Sequence, residues 1–241
     1  MKKLENIIEV KNLSKQYKDQ IAIDNISFTL QKKQTLGLLG PNGSGKSTTI
    51  GILLGLITAS YGTILIDNID ITSKQRSKIL EIVNFASPYT ELPKRLTVKQ
   101  NLEVYARLYN VKNIKKRLEE ILEYFDLEKL INKKTGDLSS GQKTRVSIAK
   151  ALINKPKLLL LDEPTASLDP VTSEYLRKFI EEYKKKQDIS ILFSSHNMSE
   201  AERLCDQIIF LKKGKILLQG KVKDIVKNKN LEKIYFNVFK K

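Results

Sequence analysis

One glycine-rich stretch constrains this chain more than any other. It reads G-P-N-G-S-G-K-S-T and matches the pattern G-x-x-x-x-G-K-[ST] of a phosphate-binding loop. The run 35–39 before it has the length of a buried parallel strand, and 48–54 after it reads as a helix. The loop residues are Gly40, Pro41, Asn42, Gly43, Ser44, Gly45, Lys46, Ser47 and Thr48. The bland alternative is a glycine-rich turn.

Each part of this loop has a physical role toward a phosphate. Glycines let consecutive backbone N–H groups face inward as a nest for anionic oxygens, and the following helix adds its positive N-terminal end. The Lys46 ammonium can reach the β- and γ-phosphates of a nucleotide, and the Ser47 hydroxyl can ligate Mg²⁺. We therefore predict a nucleotide-binding site.

Length and composition favour a globular protein without membrane spans. The chain has 241 residues, enough for one α/β domain with an insertion or for two small domains. Its apolar runs are all shorter than the ~18 residues that indicate a transmembrane helix, and its N-terminus lacks the pattern of a signal peptide. Cys205 stands alone and can form no intrachain disulfide, so a reducing cytosol is the simplest fit.

The net charge of +16 has three interpretations. Basic proteins often bind nucleic acid, or they lie against the anionic cytoplasmic face of a membrane. The third interpretation is a lysine-rich overall composition, with the lysines on solvent-exposed faces and no role in binding. The excess is greatest over 212–241, and neither zinc-finger spacing nor interleaved Arg and aromatic residues accompany it. We favour background charge with membrane proximity and expect no nucleic acid partner.

The N-terminal part of the chain reads as strands. The segments 7–13 and 21–30 are strand-like, 14–19 reads as a polar turn that holds Tyr17, and 62–71 reads as two short strands around an Asp-Asn turn. Residues 72–80 read as a short helix and 82–86 as a buried strand. Tyr17 is either a surface turn residue or an aromatic ring that stacks on a flat base.

The sequence changes from strand-like to helical patterns after residue 88. Thr97 opens a helix with a capping box, and a second amphipathic helix covers about 114–125, so 88–138 reads as a helical insertion. Ser139 opens another capped helix, Asp169 caps a helix that begins with Pro170, and 199–202 reads as a further capping box. We predict a nucleotide-binding core in 1–87 and 139–220, the insertion in 88–138, and a basic C-terminal helix or tail in 221–241.

Polar residues follow two further strands of the expected parallel sheet. Ligands of open α/β sheets bind at the carboxyl ends of the strands, where Asp162, Glu163 and His196 occur. Asp162 can hold Mg²⁺, Glu163 can polarise an attacking water, and His196 can contact the γ-phosphate. The alternatives are an acidic helix start and a histidine at the surface or in the core.

At this point the chain resembles the ATP-binding subunits of ABC transporters over nearly its whole length. Residues 138–142 resemble the LSGGQ signature, 158–165 the Walker B strand with its DEPT segment, and 167–169 the D-loop. His196 resembles the switch histidine, and Tyr17 the aromatic residue that stacks on adenine.

The resemblance implies an α/β fold: a P-loop NTPase core with a mainly parallel sheet, an N-terminal antiparallel β subdomain and a helical insertion. It implies ATP and Mg²⁺ as cofactors, with Glu163 and His196 catalytic and Ser47 and Asp162 at the metal. It also implies a head-to-tail dimer at the cytoplasmic face of a membrane, driven by ATP and docked on a separate permease. The residues that would cover the ATP of the other subunit are Ser139, Ser140, Gly141, Gln142 and Asp169.

Two positions depart from the family pattern. Ser140 stands where glycine is usual, and serine at a helix start is unstrained, so we expect this change to be tolerated. The family also places a glutamine after the strand that 82–86 resembles, and this glutamine touches Mg²⁺ and senses the permease. Here the segment reads Ala86-Ser87-Pro88-Tyr89. Gln100 lies too far along the chain to replace it.

Three functional hypotheses compete. The first is the Mg²⁺-dependent ATPase subunit of a transporter, in particular an exporter, since the insertion is short and no long regulatory domain follows. The second is a relative of the same fold that acts on ribosomes or nucleic acid. The third is a subunit that binds ATP without hydrolysing it, against which Lys46, Asp162, Glu163 and His196 argue.

Overall fold

A computed structural model describes residues 5–88, 91–166, 168–227 and 230–240. The strands are β1 (Asn6–Tyr17), β2 (Gln20–Gln31), β3 (Thr35–Leu39), β4 (Tyr61–Ile66), β5 (Ile69–Asp70), β6 (Val83–Ala86), β7 (Leu158–Asp162), β8 (Ser190–Ser195), β9 (Gln207–Lys212) and β10 (Lys215–Lys221). The helices are α1 (Lys46–Leu53), α2 (Arg76–Ile82), α3 (Val98–Leu108), α4 (Ile114–Tyr124), α5 (Ser140–Ala151), α6 (Pro170–Lys186), α7 (Met198–Leu204), α8 (Val222–Val226) and α9 (Leu231–Phe239). Single 3₁₀ turns lie at Glu128–Leu130 and Thr135–Asp137.

The larger sheet is mainly parallel, which confirms the predicted fold class. Within the described residues its strand order is β10-β9-β3-β8-β7-β6. The strands from β9 to β6 are parallel to their neighbours, and β10 forms an antiparallel hairpin with β9. Parallel strands are joined by crossovers that cover both faces of the sheet, and this explains the unbroken apolar sequences of β3 and β7.

The two faces of this sheet belong to different cores. Leu158 and Leu160 of β7 face a core shared with α1 and the smaller sheet. Leu159 and Leu161 face a second core that includes α3, α4, α5 and α6. All four leucines are almost fully buried. Each such burial contributes about 1.5–3 kcal/mol, so one strand stabilises both halves of the fold.

A smaller sheet with the order β2-β1-β4-β5 is antiparallel throughout, as predicted for the N-terminal region. Ile26, Phe28 and Leu30 of β2 are buried, whereas the residues between them are exposed. The period of two places this apolar face against the core. The predicted end of the first strand was wrong. The strand continues to Tyr17, which pairs with Gln20, whereas the sequence predicted a turn over 14–19.

Two helix starts differ from the sequence prediction because a polar side chain captures the backbone first, and α1 begins at Lys46 instead of the predicted residue 48. The helix expected over 72–80 begins at Arg76, since the Asp70 carboxylate accepts from the Thr72 N–H and holds a turn there. The start of α7 is capped by Asn197, whose side chain accepts from the Glu200 N–H. The capping box proposed for 199–202 is therefore wrong.

The insertion region contains the two predicted helices, α3 and α4. Thr97 caps α3 with the full capping box, and Leu118, Ile121 and Leu122 of α4 are buried in the larger core. Buried Asn101 donates to the backbone carbonyls of Pro93, Leu96 and Thr97, at 3.1–3.4 Å. The division of the chain into domains at 88 and 138 stays a prediction, because both helices share their core with α5 and α6.

The C-terminal part is helical, as predicted, and folds back onto α7. Leu231 of α9 is fully buried, and its N–H donates to the Glu202 carboxylate at 2.8 Å. Across the described ranges, no helix combines the length and apolar character that a membrane span requires.

The single cysteine provides a test of the packing between α7 and β3. Cys205 is 8% exposed, and burial raises the pKa of its thiol above the ordinary range. A Cβ atom added at Gly37 would lie only 2.8 Å from its Sγ atom. Because the thiolate is the reactive form, we expect an aromatic disulfide reagent at pH 8 to label the native protein at least about tenfold more slowly than the denatured chain. A Cys205→Ala variant gives the background, and equal labelling rates in the two states would contradict the packing described.

Candidate nucleotide-binding site

The glycine-rich loop joins β3 to α1 and is held by close backbone contacts. A Cβ atom added at Gly40 would lie 2.2 Å from the Leu211 carbonyl oxygen, and one at Gly45 would lie 2.8 Å from the Ala22 carbonyl oxygen. Gly45 also has a φ of +108°, which side-chain-bearing residues rarely adopt. Gly40 and Gly45 are therefore required by packing as well as by the curl of the loop.

The first turn of α1 is suited to an anion. Its N-cap residue, Gly45, offers no side chain to the free N–H groups of the turn, and acidic residues are missing from that turn. Ser44 is buried, and its Oγ atom has no hydrogen-bond partner among the described residues. Backbone donors and a hydroxyl that lack partners fit the phosphate groups of a nucleotide.

Lys46 lies folded into this loop. It is 5% exposed, and its Nζ atom donates to the carbonyl oxygens of Gly40 at 2.8 Å and Pro41 at 3.2 Å. The same Nζ atom lies 3.4 Å from Glu163 Oε1. The cation is thus fixed at the mouth of the loop beside a carboxylate from another strand.

The ends of β7 and β8 meet the loop because β8 lies between β3 and β7. The Ser194 hydroxyl donates to Asp162 Oδ1 and accepts from the Glu163 N–H at 3.0 Å. Glu163 has a φ of +48°, which is strained for a residue with a side chain. Such strain is typical of functional sites and here turns the carboxylate toward Lys46.

His196, directly after β8, completes the group. Its Nδ1 atom lies 3.2 Å from Glu163 Oε2, while Lys46 lies beside Oε1. His196 is 58% exposed and Glu163 is 14% exposed. One carboxylate between two basic groups, at the edge of a phosphate loop, can accept a proton from a water that approaches the phosphate.

Each of the two residues predicted at the metal is next in sequence to a member of this group, since Ser47 follows Lys46 and Asp162 precedes Glu163. Ser47 is exposed on the first turn of α1, and Asp162 ends β7. Hydroxyl and carboxylate oxygens are ligands that Mg²⁺ prefers, so the donor set fits the ion. Thr48 follows Ser47 in the same turn.

Tyr17 lies in the smaller sheet at the end of β1. It is 43% exposed, and Lys15 Nζ lies 4.7 Å from the centre of its ring. An exposed aromatic ring with a cation on one face is able to stack a flat base on the other.

A second group of predicted residues lies at the starts of α5 and α6. Ser139 and Ser140 are exposed, and Ser139 caps α5 with a capping box that uses Gln142. Asp169 caps α6, and its bonds from the Thr172 hydroxyl and N–H hold the pKa of the Asp169 carboxyl below its ordinary range. The helix starts touch, since a Cβ atom on Gly141 would lie 2.7 Å from Thr172 Cγ2.

The predicted residues thus form two separate groups. The first contains the loop with Asp162, Glu163 and His196, and the second contains residues 139–142 with Asp169. Over the ranges that the structure describes, no hydrogen bond or ion pair joins the two groups. One chain therefore carries a phosphate cradle and, elsewhere, an exposed helix tip.

The segment that departs from the family pattern lies beside the second group. Ser87 is buried and, with Pro88, lines a cavity of about 180 Å³ whose wall also includes Ser140 and Thr144 of α5. Tyr89 lies outside the described residues. Gln100 serves the capping box of α3, as its place in a helix predicted.

Sequence reasoning missed Ser194, whose hydroxyl joins the two strand ends. The signal was present at the polar end of β8, where Ser194 and Ser195 directly precede His196. The register that pairs Asp162 with Ser194 is needed to assign the partner, and the register is not local information.

Comparisons with known proteins agree with this geometry. The family model described as ABC transporter matches residues 23–166. The ABC transporter ATP-binding protein NatA of Bacillus subtilis is 35% identical over 218 residues, covering 89% of this chain and 88% of NatA. The Nod factor export ATP-binding protein I of Rhizobium meliloti is 36% identical over 220 residues, covering 89% of this chain and 64% of that protein.

A solved structure shows the same fold. It is a dimeric, post-hydrolysis state of the ATP-binding cassette MJ0796 bound to ADP and phosphate. It superposes with a TM-score of 0.79 and 28% identity over 89% of this chain and 98% of that one. With the extent of the family match and the identity to NatA, the chain belongs to the ATP-binding proteins of the ABC transporter family.

Proposed function

We propose that this chain is the Mg²⁺-dependent ATPase subunit of a membrane transporter and works as a head-to-tail dimer. The observation that carries the proposal is the group formed by Lys46, Glu163 and His196 at the mouth of an uncapped helix. The exposed tip of α5 supports the dimer, because a helix start that presents exposed serine residues can cover a phosphate held by a second copy.

The chain's own residues divide the work of hydrolysis. Bound ATP and Mg²⁺ supply the phosphoryl group to be transferred and the charge that neutralises its oxygens. Lys46, Ser47 and Asp162 would hold these groups, and Tyr17 would stack on the base. Glu163 would accept the proton of the attacking water, and His196 would keep that carboxylate and the water in place.

The partners of the proposed complex follow from the family. A permease in the membrane would receive the insertion helices, and this chain would then lie peripherally on the cytoplasmic face. We propose export as the direction, supported by the name of the Nod factor export relative and by the short insertion. The second copy would supply residues 139–142 and Asp169 to each ATP.

The alternative is an ATPase that acts on ribosomes or nucleic acid, and the charge of +16 is the observation in its favour. The two proposals differ in what the native protein retains on purification from membranes. A membrane partner that stays with the tagged chain in mild detergent supports the first. Steeply salt-dependent binding to RNA or DNA, with no membrane partner, supports the second.

The role of Glu163 gives a direct test. Glu163→Gln removes the proton acceptor while it keeps the shape of the side chain, so we expect kcat for ATP hydrolysis to fall at least about 100-fold. ATP binding should persist, and a dimer should form with ATP and Mg²⁺ on size-exclusion chromatography. Glu182→Gln makes the same charge change on the exposed side of α6 and should retain the activity of the unchanged protein. Rapid turnover by Glu163→Gln would remove the assigned role.

The loop glycines give a matched pair of variants. Gly40→Ala would place a Cβ atom 2.2 Å from a backbone oxygen, whereas a Cβ atom at Gly43 meets nothing within 4 Å. We expect Gly40→Ala to weaken nucleotide binding at least about tenfold, because the loop must shift from its position over α1. Gly43→Ala has only the strain of a φ of +76°, about 1 kcal/mol. Calorimetric titration with ATP measures both, and equal affinities would contradict the loop geometry.

A further inference from the structure

A buried carboxylate outside the group described above connects the two chain segments that carry Glu163 and His196. Glu200 lies on α7, and its side chain is 0% exposed. Burial of an ionised carboxylate is unfavourable unless it is paired and hydrogen-bonded. The contacts of Glu200 therefore indicate what the fold gains from it.

Three partners surround this carboxylate, and each comes from a different element. Glu200 Oε2 accepts from the Thr165 hydroxyl at 3.0 Å and from the Ser195 hydroxyl at 3.1 Å. Glu200 Oε1 pairs with Arg177 Nε of α6 at 3.4 Å. One oxygen thus joins the loop after β7 to the last residue of β8, and the other oxygen pairs with α6.

Both hydroxyl groups that bind Glu200 lie close in sequence to a predicted catalytic residue. Thr165 follows Glu163 by two residues, and Ser195 directly precedes His196. The ladder between β7 and β8 ends at the pair Asp162 and Ser194. Beyond that pair, the Glu163 N–H donates to Ser194 Oγ, and Ser195 pairs with Leu39 of β3. The bridge through Glu200 is a further connection that helps hold the 3.2 Å contact between Glu163 and His196.

His196 stands at the edge of an open cavity. It is 58% exposed, and a cavity of about 300 Å³ opens beside it, lined by Glu163, Thr165, Arg177 and Ser195. Glu200 lies beneath these residues and fixes the loop on which His196 stands. The neighbouring Asn197 caps α7, so the start of the helix and its carboxylate are positioned as one unit.

We propose that Glu200 is a positioning residue that keeps Glu163 and His196 in register for hydrolysis by bridging Thr165 and Ser195. This inference rests on the proposed ATPase function. It assigns Glu200 no contact with nucleotide. Its effect on the rate passes through Glu163.

Another ion pair between α6 and α7 provides a control that distinguishes positioning of the catalytic residues from stabilisation of the fold. Arg203 of α7 binds Glu181 of α6, with Nε 2.6 Å from Oε1, and this contact touches neither loop. Glu181→Gln therefore matches Glu200→Gln in chemistry and in the pair of helices affected.

The experiment compares steady-state ATP hydrolysis and thermal unfolding of Glu200→Gln, Glu181→Gln and the unchanged protein. We expect Glu200→Gln to lower kcat between about 10- and 100-fold, as misplacement of catalytic groups by about 1 Å does. The KM for ATP should stay within about twofold, because the loop around Lys46 is untouched. Glu181→Gln should keep its kcat. A kcat of Glu200→Gln within twofold of that control would overturn the proposal.

A double variant tests whether the effect passes through Glu163. If it does, Glu200→Gln should not lower the residual rate of Glu163→Gln any further, whereas independent effects would multiply. Multiplying effects would overturn the proposal. An unchanged protein that hydrolyses no ATP would instead overturn the proposed function.

If Glu200→Gln fails to fold, Thr165→Val tests the same proposal. It removes one hydroxyl with little change of shape and leaves Glu200 paired with Ser195 and Arg177. We expect it to lower kcat at least about fivefold, through the loop that carries Glu163. A folded Thr165→Val variant with the kcat of the unchanged protein would also overturn the proposal.

Discussion

The parallel ladder that places β8 between β3 and β7 is the constraint on which the rest of this structure depends. It brings three chain segments, far apart in sequence, to one edge of the sheet. The phosphate loop, Glu163 and His196 each follow one of these strands directly. Because the strands are buried on both faces, their positions are set by two cores at once, and the groups at their ends inherit that rigidity.

Within this frame the charges are balanced locally. Glu163 lies between Lys46 and His196, so a strained backbone is offset by contacts on both carboxylate oxygens. A ligand phosphate would compete with Glu163 for Lys46, which couples occupancy of the loop to the freedom of the carboxylate. The arrangement would link binding and chemistry through the Glu163 side chain.

Local patterns predicted much of this. The phosphate loop, the apolar strands and the caps at Thr97, Ser139 and Asp169 are encoded within a few residues, and the structure contains each of them. Contacts that depend on register or on competition between neighbouring polar residues were not predictable. Ser194 meets Asp162 only through strand pairing, and Asn197 captures the start of α7 ahead of Ser199. Glu200 was accordingly interpreted as part of a cap rather than as a buried bridge.

The bare first turn of α1 has a thermodynamic consequence. Most helices satisfy their initial N–H groups with a serine, threonine or aspartate of their own, whereas here glycine occupies that position. A nucleotide phosphate would take the place of the missing cap. Release of the nucleotide and unfolding of the start of α1 would then be coupled. Each tenfold increase of free ATP above its dissociation constant would then add about 1.4 kcal/mol to the unfolding free energy. The stability of the folded chain would in that way depend on the ATP concentration around it.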